Sequence, residues 1–148
     1  MQATACGCAF TGFDEPLVKA VFDVTLIVEP HLLAVSNGPE VERAAHERKA
    51  EGPPKVAVRF AETMPMSTYL VAFVVGPLSA TEPVTVPRQG DPANPIPLRI
   101  IPGPGNGTPT TFRPAAAANA LAWYQRHFTI PYPAANSHTP PLPPRDAR

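Results

Sequence analysis

Residues 13–29 read Phe-Asp-Glu-Pro-Leu-Val-Lys-Ala-Val-Phe-Asp-Val-Thr-Leu-Ile-Val-Glu, and Ala20, Phe22, Val24, Leu26 and Val28 share one side of the chain if it is extended. Asp23, Thr25 and Glu29 take the other side, the period-two pattern of a half-buried β-strand. Val21 and Ile27 interrupt the polar side and imply that the second face is partly covered. Asp14 and Glu15, just before Pro16, are adjacent carboxylates that point to opposite sides of an extended chain. They suit a bend better than a shared acid–base pair.

Working outward, residues 32–36 form a second short strand, and Asn37-Gly38-Pro39 supplies a turn in which Asn and Gly tolerate positive φ. The charged stretch 40–51 reads as a solvated loop or a frayed helical turn, broken by Gly52-Pro53-Pro54. Val56, Val58 and Phe60 then alternate with Lys55, Ala57 and Arg59, giving another strand with one wet face. Residues 69–75 are almost wholly apolar and predict a central strand buried on both faces. Residues 84–87 and 98–101 are shorter and proline-flanked, as expected of edge strands.

Sixteen of the 22 prolines lie from Pro77 onward, and this shift marks 91–109 as a connection between units, most flexible at Pro102-Gly103-Pro104-Gly105-Asn106-Gly107. Residues 115–128 predict a helix with Thr110 or Thr111 as N-cap and Pro114 near the first turn. Ala117, Leu121, Tyr124 and Phe128 form its apolar face, and Pro131 stops it.

Two long segments in the same order, Phe13-Asp14-Glu15-Pro16 with its strand and Met66-Ser67-Thr68-Tyr69-Leu70-Val71-Ala72-Phe73-Val74-Val75-Gly76, carry a resemblance. They resemble the N-terminal domain of the zinc aminopeptidases, the family of aminopeptidase N. The resemblance runs from Gln2 to about Pro133, where Phe128-Thr129-Ile130-Pro131-Tyr132-Pro133 is similar to the phrase that follows the first catalytic-domain helix. A Lys-Leu-Asp strand comes next in the family, and residues 134–148 depart from it. The resemblance implies a mainly β fold: a partial antiparallel sandwich or saddle domain over 1–101, a linker and first helix of a truncated catalytic domain over 102–133, and a disordered proline-rich tail over 134–148.

It also implies a site residue. Gln2 stands eleven positions before Phe13, where the family places a Gln or Glu that binds the substrate's α-amine and first side chain, although Cys6, Gly7, Cys8, Thr11 and Gly12 depart from the usual intervening pattern. Zinc in the intact family requires HExxH, a glutamate about 18 residues further on, and a Gly-Ala-Met-Glu-Asn loop for the amine. None occurs here: His46-Glu47-Arg48-Lys49-Ala50 ends in alanine where the second histidine is needed. The expectation is therefore a piece of an aminopeptidase with no catalytic or metal-binding residue and no cofactor of its own, acting on peptide substrate only within the intact enzyme.

Other classes find less support. Twelve basic against 12 acidic residues leave net charge +0, so there is no electrostatic footprint for nucleic acid or an anionic membrane. The longest apolar run is far short of the ~20 residues of a membrane span, and no signal pattern opens the chain, so a cytoplasmic protein is expected. Cys6 and Cys8 are two apart, too close for an unstrained bridge, and read as free thiols. His127 reads as a complement to the helix C-terminal dipole, and no serine or cysteine has a base and acid to activate it. Two alternatives are a non-enzymatic β module that self-associates or binds a partner through open sheet edges, and an SH3 ligand through Pro140-Pro141-Leu142-Pro143-Pro144-Arg145.

Overall fold

The computed structural model describes residues 10–13, 15–46, 52–102, 112–135 and 137–139. Gln2, Cys6, Cys8, Asp14, residues 47–51 and the Pro140-to-Arg145 motif lie outside these. The described residues are mostly β with one α-helix, as the sequence implied. Contacts divide the chain into residues 1–76 and 77–148, so the proline-rich 91–109 stretch falls inside the second unit.

In the first unit, β2 (Thr25–Val28), β5 (Lys55–Phe60) and β4 (Glu40–His46) form an antiparallel sheet in the order β2-β5-β4. Backbone bonds extend the β2–β5 pairing: Phe60 N–H donates to the Val24 carbonyl at 3.0 Å, and Thr63 N–H to the Phe22 carbonyl at 3.0 Å. Alternation in β2 and β5 follows the sequence pattern because Val28, Val58 and Phe60 turn inward. They meet Ala34 of β3 (Leu33–Ser36), with Val24, Leu26 and Val56 packed around them. The outer face is open, contrary to the covering that Val21 and Ile27 implied; each is about half exposed.

Strand β4 replaces the loop or helical turn expected from residue 40. Its side chains are exposed as far as Ala45, so the charges record an outer strand facing water on both sides, with a bulge between Glu40 and Glu42. The 69–75 stretch also differs from expectation. Thr68–Leu70 is a turn of 3₁₀ helix, and among the described residues β7 (Phe73–Gly76) pairs only with β3, with Phe73 and Val75 each 43% exposed. Asn37 explains the irregularity: its Oδ1 accepts Ala72 N–H at 2.8 Å and its Nδ2 donates to the Leu70 carbonyl at 3.0 Å. Its side chain thus takes the place of a backbone partner at the 3₁₀-to-strand junction.

The Asn37-Gly38 turn does not use positive φ, which among the described residues occurs only at Thr129 and Gly90. Gly38 is required by proximity instead, since a Cβ there would lie 2.2 Å from the Ala61 carbonyl oxygen.

In the second unit, β8 (Val84–Val86), β9 (Ile96–Ile100) and β10 (Ser137–Thr139) form a sheet in the order β10-β9-β8. Strand β9 is central, not an edge. Pro97 opposes Thr85 of β8 and precedes the β10 ladder, which begins at Leu98↔Ser137, so its missing N–H leaves that ladder intact. Strand β10 forms within the stretch expected to be a structureless tail. It runs parallel to β9, and the crossover that a parallel pair needs contains α1 (Phe112–Phe128).

Alanine-rich α1 begins earlier than the sequence suggested and places Pro114 in its first turn, where a missing N–H costs nothing. Arg126 and His127 occupy its last turn, the favourable end for cations. Ala117, Ala118, Leu121 and Ala122 pack on Val86, Ile96, Leu98 and Ile100. Tyr124 and Phe128, expected on that face, are more than half exposed, and Gln125 is buried instead.

Candidate functional site

The two segments that carry the family resemblance meet in the first unit. Pro16 bends the chain, and Val18 N–H closes the turn on the Glu15 carbonyl at 3.0 Å. The chain then enters β1 (Lys19–Ala20), which pairs antiparallel with β6 (Met66–Ser67) through Lys19↔Ser67 and Ala20↔Met66. Two buried hydroxyls finish the junction: Ser67 Oγ donates to the Pro16 carbonyl at 2.5 Å, and Thr68 Oγ1 to the Phe13 carbonyl at 3.2 Å. Thus Met66-Ser67-Thr68 holds the Phe-Asp-Glu-Pro bend by its backbone carbonyls.

The preceding residues are fixed to the same place. Phe10 meets Phe22 edge-on at 6.3 Å, and Gly12 lies beside the Phe10 ring and the Thr68 methyl. Phe22 N–H donates to Thr63 Oγ1 at 3.0 Å. The junction therefore holds the chain from Phe10 onward, while Gln2 lies outside the described residues.

The histidines do not converge. His31 lies 3.6 Å from Glu29 on the surface, and His127 stacks on Trp123 at 4.4 Å and 11°. His46 closes an exposed strand, whereas a HExxH pair needs a helix. His138, in β10, is held below the usual histidine range by burial, with the charge of Arg99 adding to it. Among the described residues no three His, Cys, Asp or Glu side chains could together hold a metal ion. Among the described residues the donor set does not fit a catalytic zinc.

Sequence reasoning missed the polar centre of the second unit. Gln125 Oε1 accepts from Gln89 N–H at 3.1 Å and Tyr132 N–H at 3.2 Å, while Nε2 donates to the Pro87 carbonyl at 3.0 Å. Arg88 donates to the carbonyls of Tyr132, Ala134 and Asn94. Gly90, at φ +81°, permits the turn after Arg88. Together they fasten residues 130–134 to the 87–94 loop. The signal in the sequence was a lone glutamine four residues after Leu121, on the stripe that faces the sheet. Beside it lies an apolar groove of about 200 Å³ lined by Leu121, Tyr124, Phe128, Ile130 and Tyr132.

Residues 1–70, which contain the junction, match the Peptidase M1 N-terminal domain. The chain belongs to the M1 aminopeptidase family. It is 37% identical over 132 residues to puromycin-sensitive aminopeptidase of Caenorhabditis elegans, a match covering 89% of this chain and 13% of that protein. Human endoplasmic reticulum aminopeptidase 1 is 33% identical over 132 residues, with the same shares. Alanine/arginine aminopeptidase of Saccharomyces cerevisiae is 37% identical over 133 residues, 90% of this chain and 14% of the yeast protein. The chain thus spans less than a sixth of the length of these relatives, and their names describe proteins that act as aminopeptidases.

Proposed function

We propose that this chain contributes the substrate-anchoring wall of a zinc aminopeptidase and has no hydrolytic activity by itself. The observation that carries this reading is the Ser67–Pro16 junction within the residues that match the M1 N-terminal domain. It holds Phe13 and Pro16, and the family resemblance puts Gln2 eleven positions before Phe13 as the residue that would bind a peptide's free α-amine. Gln2 can accept a hydrogen bond from an ammonium group, but it supplies neither a nucleophile nor a base. Zinc in the intact family would come from the HExxH helix, which this sequence lacks. The close spacing of Cys6 and Cys8 favours free thiols and a reducing compartment such as the cytoplasm.

Two experiments test this. Purified chain dialysed against zinc, then analysed for metal and assayed on aminoacyl-anilides, should hold no stoichiometric zinc and show no chelator-sensitive turnover. One tightly held zinc per chain with turnover would overturn the proposal. In a chimera carrying this chain in place of the matching segment of the C. elegans enzyme, Gln2→Ala should raise KM more than it lowers kcat. An unchanged KM would remove the anchoring role.

A further inference from the structure

The Asn37-Gly38 pair is held in place by two separate demands of the fold. The Asn37 amide is engaged at both ends, by Ala72 N–H and by the Leu70 carbonyl, across more than 30 residues of sequence. Gly38 is buried, and the Ala61 carbonyl oxygen leaves no room for a side chain there. Ala61 N–H donates to the next carbonyl, that of Pro39, at 2.9 Å, and Ser36 Oγ donates to the Ala72 carbonyl at 3.0 Å. An amide donor and acceptor followed by a residue with no side chain is also the dipeptide most prone to spontaneous deamidation, because glycine does not shield its own nitrogen.

The structure assigns Asn37 as a modification site that the fold keeps shut and that opens when residues 70–72 release it. The Gly38 backbone nitrogen attacks Asn37 Cγ, forming the C–N bond of a cyclic imide. The Cγ–Nδ2 bond breaks and nitrogen leaves as ammonia. Water then opens the imide at either carbonyl to give aspartate or isoaspartate, so the net change is one water consumed and one ammonia released, with no oxidant or reductant.

In the folded chain the attack is blocked, since Asn37 Cγ cannot rotate toward Gly38 N without breaking both bonds to 70–72. The change is one-way. An aspartate product keeps an acceptor for Ala72 N–H but turns a carboxylate oxygen toward the Leu70 carbonyl, where an N–H donor had been. An isoaspartate product also lengthens the backbone beside a glycine that has no space to move. A chain that opens here for long enough is therefore marked and does not close again in the same way.

The test follows mass gain at Asn37 in the full chain, with peptide mapping to separate it from the other Asn-Gly, Asn106-Gly107. Deamidation at Asn37 should be at least about tenfold slower in native buffer than in concentrated guanidinium chloride, the protection expected of two hydrogen bonds. Ser36→Ala, which loosens 70–72 without touching Asn37, should speed the native reaction severalfold, and Asn37→Asp should melt at lower temperature than the wild type. Equal rates in the two buffers, or an Asn37→Asp chain that melts like the wild type, would overturn the assignment. Should Ser36→Ala fail to fold, amide exchange of Ala72 in the wild type reads the same opening, and deamidation that does not track it would be equally fatal.

Discussion

Ser67 Oγ donates a hydrogen bond to the Pro16 carbonyl at 2.5 Å, joining residues 51 positions apart and both segments of the family signature. The serine is buried, so Ser67→Ala leaves that carbonyl without its partner. The variant should lose about 1–2 kcal/mol. Chemical denaturation followed by circular dichroism checks this, and Ser67→Thr, which keeps a hydroxyl, should recover part of the loss.

Gly38→Ala places a methyl group 2.2 Å from the Ala61 carbonyl oxygen, a backbone atom that cannot swing aside. A cost of about 3 kcal/mol is expected from overpacking. Gly52→Ala is the control: a Cβ there meets nothing within 4 Å, and the melt should barely move.

Gln125→Leu fills similar volume yet strands the Gln89 and Tyr132 N–H groups and the Pro87 carbonyl. The second unit should lose roughly 3–5 kcal/mol. Hydrogen exchange should show Gln89 and Tyr132 amides losing protection first.

Thr129 ends α1 at φ +55°, a left-handed conformation that a β-branched residue resists. Thr129→Gly should stabilise the second unit by about 0.5–1 kcal/mol, and Thr129→Val should not. Thermal melts of the two variants decide it.

His138 supplies a pH dependence with a definite sign. Burial, then Arg99, lowers its folded-state pKa below the ordinary 6.5. Above 6.5 both states are neutral and the group contributes nothing; below it the unfolded chain binds the proton first, so stability falls as pH drops toward the folded-state value. Melts at about pH 7.5 and about pH 5.5 should differ less in His138→Gln than in the wild type.

What the sequence disclosed follows from which residues touch both water and a core. Strands β2 and β5 were legible because Val28, Val58 and Phe60 alternate with exposed neighbours. Strand β4 was not, since it has no buried face to leave a period. In β9, Pro97 suggested an edge, because a proline's consequence depends on whether a neighbour needs its N–H, and that is decided by where β10 begins. The helix face was half legible: Ala117 and Leu121 pack on the sheet, whereas Tyr124 and Phe128 are more than half exposed and the buried place after Leu121 belongs to Gln125, whose value lies in three hydrogen bonds that no hydropathy pattern records. Of the candidate site, the two segments were legible, but their meeting was not: side-chain hydroxyls bonding backbone carbonyls leave no periodic trace.

Trp123 is the chain's single tryptophan, and it sits on α1 in the second unit, stacked on His127. Intrinsic tryptophan emission therefore has its one source in residues 77–148. If the two units unfold independently, a fluorescence melt follows the second alone, and its one smooth sigmoid would pass for a two-state transition of the whole chain. Damage at Ser67 or Gly38 that stays within residues 1–76 would then leave that trace unmoved, and a chain with an unchanged tryptophan melt would already have lost the half that carries the family signature.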